Sequence, residues 1–333
     1  MDSLTQLALG AAVGEAVLGR KVGRKAALWG AVLGTLPDLD VFIPLGGPVR
    51  DFTYHRSFSH SIFVLTLLTP VLVWLIPKLH PDDSEHRSLW FWLVWLCFMT
   101  HILLDCLTVY GTQIFWPFWS YPVGLGSIFI IDPFYTLPLL IGVICTLIMT
   151  RQHQRGHLLN QVALGLSSLY LLWSIAAQAY VTAAVEKSLA AQSVSYEKLL
   201  VSAGPFYTLL WRIVGMQAGG DYVEGYYSLV DGEQTVTISR HKSQTQLLQP
   251  LFGHWPVERL RWFSKDFFKV WQQGDEVILT DLRMGAEPSY VFSFVVGKSA
   301  SQPMAISPRQ LEPNRDFSLL KKIWRRLWST SES

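Results

Sequence analysis

Long apolar runs separated by short polar breaks fill residues 4–180 and constrain this chain more than any other feature. A helix that spans a bilayer needs about 20 mostly apolar residues. Five segments approach that length: 26–43, 61–77, 89–109, 128–150 and 158–180. A shorter run, 4–18, contains Gln6 and Glu15 and fits either a short span or a re-entrant piece. The sequence therefore predicts a polytopic α-helical membrane bundle of five or six segments.

The composition changes after residue 183, where charged, aromatic and β-branched residues mix as they do in water-soluble domains. The runs that predict strands are 235–239, 276–282 and 290–296. Residues 199–216 and 259–270 fit strands or short helices rich in aromatic side chains. We therefore expect a transmembrane domain at 1–183, followed at 190–333 by a soluble α+β domain with an antiparallel sheet.

Basic residues in the short connections predict the orientation of the bundle, because cytoplasmic loops are enriched in Lys and Arg. The densest cluster, between the first two runs, is Arg20, Lys21, Arg24 and Lys25. Residues 111–127 contain no basic residue. We therefore expect a multi-pass membrane protein, with the connections 44–60 and 110–127 and the C-terminal domain extracytoplasmic.

Charge and cysteine usage narrow the expected partners. The net charge of +2 says little about partners, and no basic run is long enough to suggest nucleic acid. The apolar half predicts membrane lipids as a partner, and protein partners are left open. The three cysteines lack the C-x-x-C spacing of metal sites and predict no disulfide framework. Residues 317–328 are basic, aromatic and amphipathic, which fits an interfacial helix or a helix that packs on the C-terminal domain.

Ionisable residues in the apolar half gather at one predicted end of the bundle. Each such residue costs roughly 2.5–3.5 kcal/mol at the centre of a spanning helix, so these residues tend to be paired or functional. They are Asp38 and Asp40, His55 and His60, His101 and Asp105, and Asp132. With the orientation derived above, all of them lie at the extracytoplasmic end, which predicts a site there.

The residue types at this end suit a divalent metal. His101 and Asp105 are four positions apart and therefore share one helical face. Imidazole nitrogen and carboxylate oxygen are ordinary ligands of zinc, manganese or iron. His55 and His60 are five positions apart and would converge only across a helix start or a loop.

Some of these residues have a second interpretation. Asp40 and Asp132 lie at helix ends and fit either helix caps or functional carboxylates. Arg56 fits either a phosphate or carboxylate binder or the ion-pair partner of Asp51.

Five motifs together resemble one family. They are MDSLTQLALGAAVGEA at the start, GTLPDLD (34–40), YHRSFSHS (54–61), THILLDCLTVYGT (100–112) and IDPF (131–134). In these motifs the membrane half is similar to the YdjM-like family of bacterial inner-membrane-associated proteins. Members of this family are proposed to be metal-dependent hydrolases. The family is thought to be distantly related to zinc-dependent phospholipase C. The resemblance implies a protein of the bacterial inner membrane. It also implies the metal ligands Asp38, His55, His60, His101 and Asp105, with Asp132 as a further candidate.

The chain departs from the family pattern at its first motif. Many members have Thr-His where this chain has Thr5–Gln6. If that histidine is a ligand, Gln6 would bind through its carbonyl oxygen or Glu15 would substitute for it. The number of metal ions is therefore left open.

The expected function is metal-assisted hydrolysis at the membrane surface. A dication, zinc before manganese or iron, would lower the pKa of a bound water and polarise a carbonyl or phosphoryl oxygen, with Asp40 or Asp132 as general base. The substrate would be a lipid, a lipid-linked precursor or another amphiphile. The alternatives are an ion- or proton-coupled carrier and a non-catalytic scaffold. The enzyme is favoured because carriers place their binding groups near the midplane.

Overall fold

The computed structural model describes residues 1–149, 154–230, 235–299 and 303–313, together with Arg326. Within these residues a helical N-terminal region precedes an antiparallel β region. The helices are α1 (Ser3–Val22), α2 (Arg24–Thr35), α3 (Pro48–Tyr54), α4 (Ile62–Leu79), α5 (Arg87–Leu107), α6 (Pro133–Ile148), α7 (Gln154–Ala191) and α8 (Trp255–Phe263).

Three helices in the described part of the chain are long and apolar enough to cross a membrane. They are α4, α5 with the turn that precedes it (Pro81–Leu107), and α7. Helix α6 is apolar but has only 16 residues. This result confirms a helical membrane region, whereas the predicted count of five or six segments is not confirmed.

The predicted span at 26–43 is much shorter as a helix. Helix α2 has 12 residues, about 18 Å at 1.5 Å per residue, against a hydrocarbon core of about 30 Å. A 3-10 turn, Leu36–Phe42, follows immediately. Pro37 lies at its start and has no N–H to continue the α-helical ladder. The change of helix type places Asp38 and Asp40 on a tight turn instead of a regular helix.

Glycines bring α1 and α2 into backbone contact. A Cβ added to Gly10 would lie 2.2 Å from the carbonyl oxygen of Gly30, and one added to Gly34 would lie 2.5 Å from that of Gln6. Small residues at such spacing let apolar helices approach closely without a hydrophobic driving force. The contact fixes the end of α2, from which the first acidic motif begins.

The C-terminal region contains two four-stranded antiparallel sheets, ordered β1-β2-β3-β4 and β10-β9-β6-β5, and a short hairpin of β7 and β8. The strands are β1 (Lys198–Ala203), β2 (Leu210–Met216), β3 (Tyr222–Ser228), β4 (Ile238–His241), β5 (Phe268–Gln273), β6 (Glu276–Asp281), β7 (Gly285–Ala286), β8 (Ser289–Tyr290), β9 (Ser293–Lys298) and β10 (Met304–Gln310). The prediction of an antiparallel sheet domain is confirmed.

The chain divides into two compact units. The first comprises Met1–Ile43 and His55–Ile175, and the second comprises Pro44–Tyr54 and Ala176–Ser333. The sequence-based boundaries placed 44–54 with the membrane half, whereas the fold groups this segment with the C-terminal strands. The predicted C-terminal helix at 317–328 lies outside the described residues except for Arg326.

Aromatic packing explains why the segment 44–54 belongs to the second unit. The ring of Phe52 lies 4.8 Å from that of Phe263 and 5.3 Å from that of Phe294. Arg259 Nε also donates to Thr53 Oγ1 at 3.0 Å. Phe52 is buried, and burial of an aromatic side chain is a large apolar contribution that holds this segment to the rings of the second unit.

We expect Gly10→Ala to destabilise the protein by about 1–3 kcal/mol, because the added methyl group meets the Gly30 carbonyl and forces the helices apart. Gly165→Ala is the matched control, since nothing lies within 4 Å of a Cβ at that position in α7. Thermal unfolding of the detergent-solubilised protein measures both effects. Equal melting temperatures for the two variants would contradict a close α1–α2 contact.

Candidate metal centre

Four side chains from three separate elements converge in the first unit. Asp38 comes from the 3-10 turn after α2, His60 from the turn before α4, and His101 and Asp105 from α5. One potential ligand atom from each lies within 4.8 Å of all the others. His60, His101 and Asp105 are fully buried, whereas the side chain of Asp38 is 17% exposed. The group could therefore hold a metal ion, with Asp38 on its open side.

Five of the six distances within this group are close to those around a four-coordinate dication, and three of them are shorter by 0.1–0.2 Å. The two imidazole Nε2 atoms, of His60 and His101, lie 3.1 Å apart. Asp105 Oδ2 lies 3.1 Å from the first of these atoms and 3.6 Å from the second. Asp38 Oδ1 lies 3.2 Å and 3.6 Å from the same two atoms. A tetrahedron with metal–ligand bonds of about 2.0–2.2 Å has edges of about 3.3–3.6 Å.

Hydrogen bonds on the far side of each imidazole fix the direction of its lone pair. His101 Nδ1 lies 2.7 Å from the carbonyl oxygen of Gly34, which can only accept, so this nitrogen carries the proton. His60 Nδ1 lies 2.9 Å from Ser59 Oγ, and that hydroxyl donates to Asp40 Oδ2 at 2.5 Å. In the neutral rings both Nε2 lone pairs therefore point into the group, as ligating histidines require.

The carboxylate of Asp40 supports this arrangement without joining the four. Its Oδ1 lies 2.8 Å from His55 Nδ1, and its Oδ2 accepts the backbone N–H of Arg56 at 3.0 Å as well as the Ser59 hydroxyl. His55, expected to be a ligand, is thus paired with Asp40 and lies outside the group of four. The structure thus places Asp40 and His55 in a supporting layer behind the four candidate ligands.

Asp132 and Glu15 belong to other networks. Asp132 caps α6 by accepting the N–H groups of Phe134 at 2.9 Å and Tyr135 at 3.3 Å, and its other oxygen accepts the Tyr170 hydroxyl at 2.8 Å. Glu15 lies 2.6 Å from His157 Nδ1. His157 is itself buried, so this pair lies inside the protein.

Gln6 and Arg56 contact the candidate ligand Asp105. Gln6 Nε2 donates to Asp105 Oδ1 at 3.1 Å, and Arg56 Nε lies 3.4 Å from Asp105 Oδ2. The amino group of Met1 also contacts this carboxylate. The ion-pair partner of Arg56 is therefore Asp105 rather than Asp51, which instead accepts a backbone N–H from its own loop.

Buried oxygen atoms around the group indicate whether a cation would fit among the four side chains. Among the described residues, Asp105 Oδ2 and Gln6 Oε1 have no hydrogen-bond partner although both are buried. An unpartnered buried oxygen is costly unless a cation or water satisfies it. Asp105 Oδ2 is one of the four candidate ligand atoms, and the cationic Arg56 Nε approaches it only to 3.4 Å, so the donor set fits a divalent ion.

Sequence reasoning did not single out the two groups that orient the imidazoles, Ser59 and the carbonyl of Gly34. Both lie inside motifs that the sequence shows plainly, YHRSFSHS and GTLPDLD. A backbone carbonyl leaves no signal in residue type, and a serine between two ligand candidates is easily passed over. Their position within the motifs was the available signal.

Comparison with known proteins gives the family. The profile of the YdjM inner membrane protein family matches residues 1–181, more than half of the 333-residue chain and all four residues of the group. The chain belongs to this family. Its family name and apolar helices support a protein of the inner membrane. The predicted topology stays a prediction.

One curated relative is similar over part of its length. The uncharacterized protein YfhP of Bacillus subtilis (strain 168) is 32% identical over 141 residues, which are 40% of this chain and 42% of the relative. The match thus spans less than half of that protein. No solved structure matches the chain. The comparisons show no link to zinc-dependent phospholipase C, so that relation remains an expectation.

The metal content of histidine variants should depend on whether the replaced histidine is a candidate ligand. We expect His101→Ala to abolish stoichiometric metal, because it removes a candidate ligand from a closed group of four. His55→Ala should keep the metal but weaken its affinity by about 10–100-fold, because His55 acts only through Asp40.

Elemental analysis and a competing chelator measure the two quantities. The control is His254→Ala in the second unit, where the exposed imidazole should have no influence. If His55→Ala loses the metal as completely as His101→Ala does, the assignment of His55 to the supporting layer is wrong.

Proposed function

We propose that this protein is a membrane metal-dependent hydrolase whose dication is held by Asp38, His60, His101 and Asp105. The observation that carries the proposal is the pair of imidazole Nε2 atoms, 3.1 Å apart, oriented toward each other in a buried group with two carboxylates. Two imidazoles and two carboxylates in a four-coordinate arrangement favour zinc over manganese or iron.

Such a dication would supply Lewis acidity that polarises an ester or phosphoryl oxygen and activates water. Because four side chains already complete a tetrahedral set, water or substrate would have to bind as a further ligand. The protein residues orient that ion and its surroundings. Asp40 accepts three hydrogen bonds. Asp132 also accepts three, two in the α6 cap and one from the Tyr170 hydroxyl of α7. These bonds favour an orienting role for Asp40 and a capping role for Asp132, so a general base at either position stays a prediction.

Exposed apolar side chains beside the group support an amphiphilic substrate. The turn that carries Asp38 and Asp40 also carries Leu39, Val41 and Phe42, which are 48%, 66% and 80% exposed. An exposed apolar cluster of this kind fits contact with lipid chains. We therefore propose that the substrate is a lipid, a lipid-linked precursor or another amphiphile that reaches the group from the membrane surface.

A non-catalytic scaffold is the second candidate, and the short distance between the two imidazole nitrogens also favours it. If one imidazole is protonated, a separation of 3.1 Å between His60 Nε2 and His101 Nε2 also fits an N–H···N hydrogen bond. The two carboxylates would then serve as counter-ions that hold the helices together. In this account the purified protein would contain no stoichiometric metal.

An activity assay on the full-length protein tests the proposed hydrolase function directly. The detergent-purified chain is stripped with a chelator, reloaded with zinc or manganese, and assayed on phosphomonoesters, phosphodiesters and carboxyl esters with long or short acyl chains. We expect hydrolysis that requires the metal, prefers long chains and is lost in His101→Ala.

The control for this assay is again His254→Ala, which should retain full activity. A protein that carries no stoichiometric metal after gentle purification would contradict the proposal. Hydrolysis that survives both chelation and His101→Ala would contradict it equally, because the activity would then come from elsewhere.

A further inference from the structure

Arg56 is a buried cation with weak contacts. The residue is 4% exposed, and its Nη1 donates to Thr108 Oγ1 at the long distance of 3.4 Å. Its Nε lies 3.4 Å from Asp105 Oδ2 and has no hydrogen-bond partner among the described residues. The guanidinium carbon also lies 5.1 Å from the centre of the Tyr110 ring. A buried guanidinium therefore has unused donor capacity beside the candidate metal group.

Two other buried arginines in this chain have guanidinium groups with short hydrogen bonds to their partners. Arg283 donates from Nη2 to Asp281 at 2.6 Å and from Nε to the same carboxylate at 3.0 Å. Arg212 donates from Nε to Glu224 at 2.7 Å and from Nη1 to a backbone carbonyl at 2.7 Å. Charge-assisted bonds normally have these lengths. Arg56 is far from this pattern, which argues against a purely structural ion pair with Asp105.

The backbone of Arg56 is held in a conformation that side chains other than glycine rarely adopt. Its φ is +61°. The N–H donates to Asp40 Oδ2 at 3.0 Å, and the carbonyl accepts the N–H of Gln113 at 2.9 Å. Left-handed non-glycine residues cost free energy and cluster at ligand-binding positions. Bonds on both sides of the residue thus maintain a strained backbone that directs the side chain toward Asp105.

Charge balance indicates what Arg56 would bind. A dication held by Asp38 and Asp105 would offset both carboxylates, and the Met1 amino group adds a positive charge beside Asp105. Asp40 then supplies one negative charge near Arg56, against the two positive charges of Arg56 and Met1. The positive charge then favours an anionic group beside the metal. A neutral carboxyl ester would leave it unpaired, whereas a phosphoryl group supplies several oxygens in the spacing that a guanidinium fork matches.

We propose that Arg56 binds a phosphoryl oxygen of the substrate, so that the substrate is an amphiphilic phosphoester. The inference rests on the proposed function, because the metal at Asp38, His60, His101 and Asp105 provides the second contact for the same phosphoryl group. It narrows the substrate class from esters in general to phosphoesters.

Binding of inorganic phosphate to the full-length, zinc-loaded protein tests this assignment without any turnover. Isothermal titration calorimetry compares the wild-type chain with Arg56→Gln, Arg56→Lys and the control Arg309→Gln, whose exposed side chain pairs with Glu276. Zinc content is measured for each sample. We expect all four to retain zinc, and Arg56→Gln to bind phosphate at least about tenfold more weakly. Arg56→Lys should be intermediate, and Arg309→Gln should equal wild type.

Three results would overturn the assignment. Arg56→Gln that retains zinc and binds phosphate as wild type does would show that Arg56 is no anion binder. Loss of zinc from both Arg56 variants would make Arg56 a structural partner of Asp105. Acetate that binds the wild-type protein as tightly as phosphate does would exclude a phosphoryl preference. A wild-type protein without zinc is a different failure, since it refutes the proposed function itself.

Discussion

The arrangement in the first unit depends on two imidazole nitrogens held 3.1 Å apart, with both lone pairs directed into one buried space. Two such acceptors repel each other unless a cation lies between them or one ring carries an extra proton. The flanking carboxylates of Asp38 and Asp105 add two negative charges to this space, of which Arg56 and the Met1 amino group contact only that of Asp105. Membrane surroundings increase this cost, because apolar lipid offers no compensation. A dication would satisfy all four groups together, and this possibility connects the helix packing with the proposed chemistry.

Helix packing produces this geometry through backbone groups as much as through side chains. The glycine contact between α1 and α2 positions the carbonyl of Gly34, which orients His101. The same helix α1 brings Gln6 to Asp105. Pro37 ends the α-helical hydrogen bonding and leads the chain into a turn that carries Asp38. A change in the α1–α2 contact would therefore alter the metal group without replacing a single ligand.

The motifs predicted most of the residues that converge, but residue spacing did not predict the geometry in which they converge. His101 and Asp105 were expected on one helical face and do converge with Asp38 and His60. His55 was expected beside them because residue type and motif favour it, yet Asp40 holds its ring in the layer behind. Hydropathy counted the segment 26–43 as one span, since apolar content does not reveal where an α-helix turns into a 3-10 turn. Contacts between distant segments, such as that of Phe52 in the second unit, leave no local pattern.

X-ray absorption spectroscopy on the metal-containing, full-length protein tests the central claim most directly. The account predicts stoichiometric metal whose first shell contains two imidazole nitrogens and two carboxylate oxygens, at about 2.0–2.2 Å for zinc. Substitution of His60 should remove one imidazole contribution from the spectrum. Absence of stoichiometric metal, or a first shell without histidine nitrogen, would contradict the account.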